Sequence, residues 1–549
     1  MEEIITKKPC AVQKIETSQG FSIFYKEHFL YSKYNPSKNI ISLIENQTIL
    51  SGTIFLCCSP LLGYGIKELL KKLKENCLII LCEAEEELFD FCIKERSLDF
   101  NDSRVINVEP EKLNELPLFI YDKAKEGIYK RVIKIDMSAG AAFNKNYYER
   151  LLSASSDSIM TFWKNRITLT KFGRRYSKNL FENLQYLSDT KPISDYFGVI
   201  DRPIIVFGAG ESTQKFIDTG LLRHCAPRND TFPFYILCAD TALQPLLKNG
   251  IKVDGVFIEE AQSVIMKAFI GTLNDIHIFA GLSSLPNLLH LAGAEKISYF
   301  FTEYAEGLFF KSLKTKAFMP PANMPFGSVG LTAVYYALKF RKNNSIPVYV
   351  CGLDFSYSRG ITHTKGALAH IQRLINSNRL QSIANYSAAF GPGTEKIYGK
   401  NGNSFVTSVT LKNYAVMFRG IFEGTENLFD VGQTGIDLGL PLVSMDCSSA
   451  SANKKDVAPR HYEAKGRDNA AKEDIKVFLQ DEHKALEKLR DLLTGKTELK
   501  GDKLLEEIQK IAEPREYLYL HFPDGCRFST DQSFLNRIRT EIDFFLKVL

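Results

Sequence analysis

Residues Pro325–Gly366 read PFGSVGLTAVYYALKFRKNNSIPVYVCGLDFSYSRGITHTKG. Apolar residues at Val329, Ala333, Tyr336, Ala337 and Phe340 keep helical spacing, and Gly327-Ser328 stands just before them, where a hydroxyl N-cap belongs. The polar break Arg341–Ser345 ends that helix. The run Pro347–Cys351 then has the length and unbroken hydrophobicity of a strand buried on both faces, and it stops at Gly352-Leu353-Asp354-Phe355. Helix, strand and polar strand end, in that order, describe one unit of a doubly wound parallel sheet. Ligands of such sheets bind beyond the carboxyl ends of the strands, so Asp354 marks the expected site, with Ser328 at a helix start and His363 just downstream.

The same alternation extends upstream. Ile204–Phe207 reads as a strand, followed by the glycine turn Gly208-Ala209-Gly210-Glu211-Ser212-Thr213 and a helix through Phe216 and Ile217. Glycines let a backbone approach a phosphate and a helix N-terminus supplies N–H donors, so Gly208, Gly210 and Ser212 fit a phosphate cradle; a tight turn without a ligand has the same pattern. Phe234–Cys238, Val253–Ile258, Ile276–Ala280 and Ile297–Phe301 repeat the strand signal, and Asp240-Thr241, Glu259-Glu260, Ser283-Ser284 and Thr302-Glu303 follow them. Polar residues at successive strand ends are what a single ligand crevice requires. Asp240 and Thr241 read equally as a helix cap or as ligand contacts.

Nearer the start, Gln19-Gly20 between Ala11–Glu16 and Phe21–Tyr25 predicts a hairpin, and Asn35-Pro36 breaks the chain before a helix through Ile44. Thr53–Cys58, a helix through Leu73 and Cys77–Cys82 ending at Glu83 make a βαβ unit. Glu83 is placed to hold a ribose hydroxyl if this unit binds a nucleotide. The GxGxxG spacing is absent, and a purely structural unit explains the pattern as well. Asn144–Asp189 is helical in pattern and carries Trp163 as a core residue. Past Gly366, glycines at 391, 393, 399 and 402 punctuate a lid-like segment before Phe405–Ser408 and a helix with Leu411, Tyr414, Ala415 and Phe418. Amphipathic helices at Ile475, Leu479, Leu486 and Leu489 and again at Phe534, Ile538, Ile542 and Phe545 close the chain. The expected layout is an accessory α/β domain over 1–140, a helical connector over 141–200, the central domain over 201–443, a polar linker over 444–473 and a C-terminal helical domain over 474–549.

A chain of 549 residues exceeds one core. Its 69 basic and 64 acidic residues leave a net charge of +5, too small at this length to argue for nucleic-acid or membrane partners. The eleven cysteines include several in strand-like runs and form no CxxC pair, which fits reduced core thiols and a cytoplasmic location. No run of about 18 apolar residues is present, so a soluble protein without membrane insertion is expected.

Several landmarks together resemble a known family: Tyr31-Ser32-Lys33-Tyr34-Asn35-Pro36, Gly63-Tyr64, Trp163-Lys164-Asn165, Gly208-Ala209-Gly210-Glu211-Ser212, Ala239-Asp240-Thr241-Ala242, Gly327-Ser328-Val329, Gly352-Leu353-Asp354-Phe355 and Thr362-His363. From about Tyr31 to Pro441 the chain looks like the motility-associated factor (Maf) flagellin glycosyltransferases, whose central domain is called 6-hydroxymethylpterin diphosphokinase MptE-like. That domain is similar to bacterial sialyltransferases. The resemblance implies an α/β fold with a doubly wound, Rossmann-like central domain of GT-A variant type. It also implies transfer of a nonulosonic acid, pseudaminic or legionaminic, from a CMP donor to Ser or Thr of flagellin. Two departures stand out: Glu211 replaces the proline usual in the glycine loop, and Glu260 stands where the family often has Asp.

Under this resemblance Gly208, Gly210, Ser212, Gly327 and Ser328 hold phosphate or ribose, and Asp240, Thr241 and Phe355 contact the nucleotide. Asp354 binds sugar or ribose hydroxyls, and His363 is the general base or acid, with His370 the competing choice. No DxD motif stands at a strand end, so neither a metal nor a cofactor is expected beyond the CMP-sugar itself. Two alternatives use the same chain: Mg²⁺- and ATP-dependent pyrophosphoryl transfer to a pterin alcohol, and non-catalytic binding of flagellin.

Overall fold

The computed structural model describes residues 12–220, 233–272, 276–358, 360–383, 391, 393–445 and 469–549. The chain forms two compact units: one holds the residues up to Gly173 together with Tyr519–Ser529, the other Arg174–Leu518 and Thr530–Leu549. Residues 446–468, most of the stretch read as a polar linker, lie outside the described residues.

In the first unit β1 (Gln13–Thr17), β2 (Gly20–Tyr25) and β3 (His28–Phe29) form an antiparallel meander. Thr17 pairs with Gly20, whose φ of +121° closes the turn. After α1 (Lys38–Asn46) come β4 (Thr53–Cys58), α2 (Ile66–Lys72), β5 (Leu78–Cys82), α3 (Glu86–Glu95), β6 (Val105–Val108), α4 (Leu116–Ala124) and β7 (Arg131–Asp136). The four strands are parallel in the order β6-β5-β4-β7. Alternation sorts their side chains: Phe55, Cys57, Ile79 and Leu81 pack with Ile40, Ile44, Ile66 and Leu88 of α1 to α3. On the other face Ile54, Leu56 and Ile80 meet Ile120 of α4 and Tyr148 and Phe162 of α5 (Lys145–Leu187). The helical pattern of Asn144–Asp189 is thus one helix of 43 residues. Trp163 packs on this core and donates its Nε1–H to the Tyr129 carbonyl at 2.8 Å. Arg166 donates to the carbonyls of Leu520 and Phe522 at 3.0 and 2.8 Å, which fastens the late segment into the first unit.

The second unit is built on eight parallel strands: β8 (Ile204–Phe207), β9 (Tyr235–Ala239), β10 (Gly255–Ile258), β11 (His277–Gly281), β12 (Ile297–Thr302), β13 (Ala322–Asn323), β14 (Val348–Cys351) and β17 (Leu428–Asp430). Their order is β13-β12-β11-β10-β9-β8-β14-β17. Between them run α6 (Glu211–Asp218), α7 (Asp240–Lys248), α8 (Pro286–Ala292), α9 (Leu308–Lys314), α10 (Val329–Phe340), α11 (Leu368–Asn376) and α12 (Val409–Phe422). An antiparallel hairpin of β15 (Thr394–Tyr398) and β16 (Ser404–Ser408) precedes α12. Helix α10 is apolar on nearly every side because it is covered twice: Leu331, Val334, Tyr336 and Phe340 share one core with Leu237, Phe257 and Phe279 of the sheet and with Ala415, Phe418 and Phe422 of α12. The closing helices α13 (Asn469–Leu493), α14 (Asp502–Ala512) and α15 (Gln532–Phe545) bury Ile475, Leu486, Ile538 and Phe545. Among the described residues no helix is long and apolar enough to cross a membrane. Seven of the described cysteines are buried and free, and an eighth, Cys526, is free and half-buried.

Candidate functional site

From β8 the chain winds through β9 to β13, then returns to lay β14 on the other side of β8. The winding therefore reverses between β8 and β14, where a doubly wound sheet opens its crevice. The two loops there touch along their backbones: Gly208 N–H donates to the Cys351 carbonyl at 2.8 Å and Gly210 N–H to that of Gly352 at 2.9 Å. A Cβ on Gly208 would lie 2.4 Å from the Gly352 oxygen, and one on Gly352, whose φ is +76°, 2.0 Å from Thr213 Oγ1. These glycines answer to the contact between the loops. Asp354 turns its carboxylate onto the first turn of α6, accepting from Ser212 N–H at 2.8 Å, from Ser212 Oγ–H and from Thr434 Oγ1–H at 3.3 Å. It thus caps a helix from a neighbouring strand, in the position an anion would take. Burial pushes its pKa up to about 6, against the pull of the Ser212 hydrogen bonds.

The start of α10 reaches the same place through Leu353. Its Cδ2 lies where a Cβ on Gly208 or on Gly330 would collide, at 2.6 and 2.3 Å. Ser328 occupies the N-cap of α10 with extended backbone, and its hydroxyl makes no capping bond. Gly327, at φ +69°, approaches the Tyr414 ring, and Tyr414 in turn faces Phe355 at 6.3 Å between centroids. Gly208, Gly210, Ser212, Gly327, Ser328, Asp354 and Phe355 therefore share one rim.

Acidic groups line the carboxyl ends farther along. Asp240 is the first residue of α7, whose N-cap is Ala239, and accepts from Thr241 N–H at 2.6 Å; the Thr241 side chain is exposed. Burial pushes the Asp240 carboxyl up to about 6, and the charges of Glu260 and Glu259 add to the rise. Glu259, also raised by burial, accepts from Thr302 Oγ1 at 2.6 Å and Thr332 Oγ1 at 3.0 Å. Glu260 accepts from Gln262 N–H at 2.8 Å. The second half of α5 braces these loops: Asn179 donates to the carbonyls of Ala261 and Ser283, and Asn183 to those of Leu282 and Ser284. Among the described residues no group of three or more His, Cys, Asp or Glu is placed to hold a metal ion.

His363 lies on a strap tied to the glycine loop. Thr364 N–H donates to the Ala209 carbonyl at 2.8 Å, and Ser358 Oγ–H to Glu211 at 2.5 Å. Glu211 also pairs with Lys215 at 3.5 Å, so the charge that replaces the usual proline is engaged. His363 is half-buried, with Nδ1 3.1 Å from Thr362 Oγ1. Burial, then the charges of Arg373 and His370, push its pKa down to about 4. Its imidazole is neutral at pH 7, with a lone pair open to a proton and a basicity lowered by the same surroundings. Glu83 belongs to the first unit. There it accepts from Ser59 Oγ–H at 2.7 Å and Glu85 N–H at 3.0 Å, and burial pushes it up to about 7.

A family model described as "6-hydroxymethylpterin diphosphokinase MptE-like" matches residues 174–360. The structure of a Maf glycosyltransferase from Magnetospirillum magneticum AMB-1 superposes with a TM-score of 0.53 at 13% identity, over 99% of this chain and 91% of that one. An uncharacterized protein of Treponema pallidum (strain Nichols) is 30% identical over 560 residues, spanning 97% of this chain and 94% of its relative. The chain belongs to the Maf/MptE-like family. In this Maf/MptE-like chain the rim is completed by residues that sequence reasoning passed over. Lys400 and Asp430 form an ion pair whose side chains are 6% and 4% exposed, and Gly432 N–H donates to Asp430 at 2.8 Å. Gly435 packs on Asp354, with a Cβ there 2.6 Å from its Cα, and Ile436 N–H donates to the Asp354 carbonyl at 2.9 Å. The signal was present in Leu428-Phe429-Asp430-Val431-Gly432, a short apolar run ending in Asp and Gly like the one at Cys351–Asp354.

Proposed function

We propose that the protein is a glycosyltransferase that moves a nonulosonic acid, of pseudaminic or legionaminic type, from a CMP donor to Ser or Thr hydroxyls of flagellin. The observation that carries this reading is the convergence of the β8 loop, the β14 strand end and the start of α10 on one rim, with His363 strapped beside it. The acceptor oxygen attacks the anomeric carbon, the bond from that carbon to the phosphate oxygen breaks, and CMP leaves with the electron pair. His363 takes the hydroxyl proton. Ser328 and the first N–H groups of α10 hold the phosphate, in keeping with an uncapped helix start. Gly208, Gly210 and Gly327 shape the rim, Asp240, Thr241 and Phe355 contact the nucleoside, and Ser212 with Asp354 fixes the loop that carries them. A donor with one phosphate needs no bridging cation.

The family description favours one other reading, Mg²⁺-dependent pyrophosphoryl transfer from ATP to a pterin alcohol. A thermal-shift panel of CMP, CTP, ATP and UDP, with and without Mg²⁺, separates the two, because a ligand of the native state raises its melting temperature. A rise specific to CMP and CTP supports sugar transfer; a Mg²⁺-dependent rise with ATP alone replaces it with the kinase. No rise with any nucleotide, together with retained flagellin capture, points to a binding protein.

A further inference from the structure

Phe355 has a backbone φ of +46°, in the left-handed region that a bulky side chain enters only under constraint. Strained residues of this kind persist where their surroundings over-determine them, and they gather at functional sites. Two elements hold the stretch from Asp354 to Tyr357. Strand β16 does so through Thr407, whose Oγ1–H donates to the Phe355 carbonyl at 2.8 Å, and through Val406, which exchanges two backbone hydrogen bonds of 2.9 Å with Tyr357. The loop after β17 does so through Ile436 N–H, which donates to the Asp354 carbonyl at 2.9 Å, and Thr434 Oγ1–H, which donates to the Asp354 carboxylate at 3.3 Å.

Lys400 joins these two holders. It stands at the turn of the β15–β16 hairpin, pairs with Asp430 at the end of β17 and reaches the Gly432 carbonyl at 3.4 Å. Its backbone N–H donates to the Gly435 carbonyl at 3.0 Å, and a Cβ on the neighbouring Gly399 would lie 2.7 Å from that same oxygen. Hairpin and β17 loop are thus closed on each other, and the stretch that carries Phe355 is held by both. The pair Lys412–Glu395 near the other end of the hairpin differs: its side chains are 54% and 45% exposed, so water screens it.

We propose that Lys400 is a positioning residue for the nucleotide: its ion pair with Asp430 latches the hairpin to the β17 loop and so fixes the strained backbone that presents Phe355. It acts through that backbone and not by touching the ligand. The inference rests on the reading above, in which Phe355 contacts the nucleoside of a CMP donor. Releasing the latch lets the Phe355 backbone relax and its ring move, and a gap of about 0.5–1 Å already forfeits a quarter to a half of a van der Waals contact.

The test uses the full chain, CMP as the probe and hydrogen exchange read by mass spectrometry. In Lys400→Met/Asp430→Asn, which strands no buried charge, exchange should quicken in residues 354–357 and 432–436 while β9 to β12 keep their protection. CMP should bind that variant about tenfold more weakly, at a melting temperature close to that of the wild type. Lys412→Met, which breaks the surface pair on the same hairpin, should change neither reading. Faster exchange with CMP affinity intact overturns the positioning role. So does weaker CMP binding with exchange unchanged, or an equal effect from Lys412→Met. Should the double variant fail to fold, the wild type decides, because coupling is reciprocal: CMP must slow exchange in the same two stretches, and their indifference to CMP overturns the proposal. A wild type that binds no CMP removes the donor reading instead, and the latch then stands or falls on the exchange of the double variant alone.

Discussion

The buried pair Lys400–Asp430 gives the sharpest test of how the rim is held. Lys400 reaches from the hairpin loop into a site where its side chain and that of Asp430 are 6% and 4% exposed, with Gly432 O a further 3.4 Å contact. Lys400→Met leaves the Asp430 carboxylate buried and uncompensated. Removing one member of a buried pair costs about 3–5 kcal/mol, whereas an exposed pair contributes about 0–1 kcal/mol. Lys400→Met/Asp430→Asn removes the stranded charge and keeps an acceptor for Gly432 N–H, so most of the loss should be recovered. Burial already raises the Asp430 carboxyl against the pull of Lys400. Without the lysine it rises further, so the cost of the single variant should shrink as pH falls and the carboxyl takes up a proton. Urea unfolding provides an internal control, since the single tryptophan, Trp163, lies in the first unit. The far-UV circular dichroism transition of the second unit should move to lower urea while the tryptophan transition stays. A cost for Lys400→Met below about 1 kcal/mol, or a double variant as unstable as the single, refutes the argument.

Gly352→Ala must place a Cβ at positive φ against Thr213 and the Gly208 carbonyl, and should lower stability by more than about 2 kcal/mol, read from the same urea transition. His363→Ala should abolish transfer of radiolabelled sugar to flagellin while the melting temperature stays within a degree or so; full activity removes the base assignment. Glu83 sits near 7 in the folded first unit against 4.5 unfolded, so its contribution is fully present below about pH 4.5 and is lost as pH rises through 7. The tryptophan-detected stability should fall on the order of 3 kcal/mol across that window in the wild type and stay flatter in Glu83→Gln.

The sheets were legible because fully buried parallel strands leave nearly continuous apolar runs, as at Ile204–Phe207 and Val348–Cys351. The rim was legible too, since Gly208, Ser328 and Asp354 each follow or precede such a run. What lay beyond local pattern was partnership. Nothing in Asp354 itself tells that its carboxylate caps α6, because Ser212 stands 142 residues away. Lys400 looks like any loop lysine until a strand end 30 residues on supplies its counter-charge. His370 was read as the competing choice of base, on a helix; that its ring is buried depends on which face of α11 packs inward.

The return of Tyr519–Ser529 to the first unit has a consequence for how the chain is made. Arg166 spends its guanidinium on Leu520 and Phe522, and Gly173 leaves the space that Leu520 fills. A nascent chain emerging at about 5–20 residues per second must wait on the order of tens of seconds after its first 173 residues before those partners leave the ribosome. Vectorial synthesis thus finishes the earliest-made unit last, and a fragment cut at Gly173 would carry a permanent socket for a missing plug.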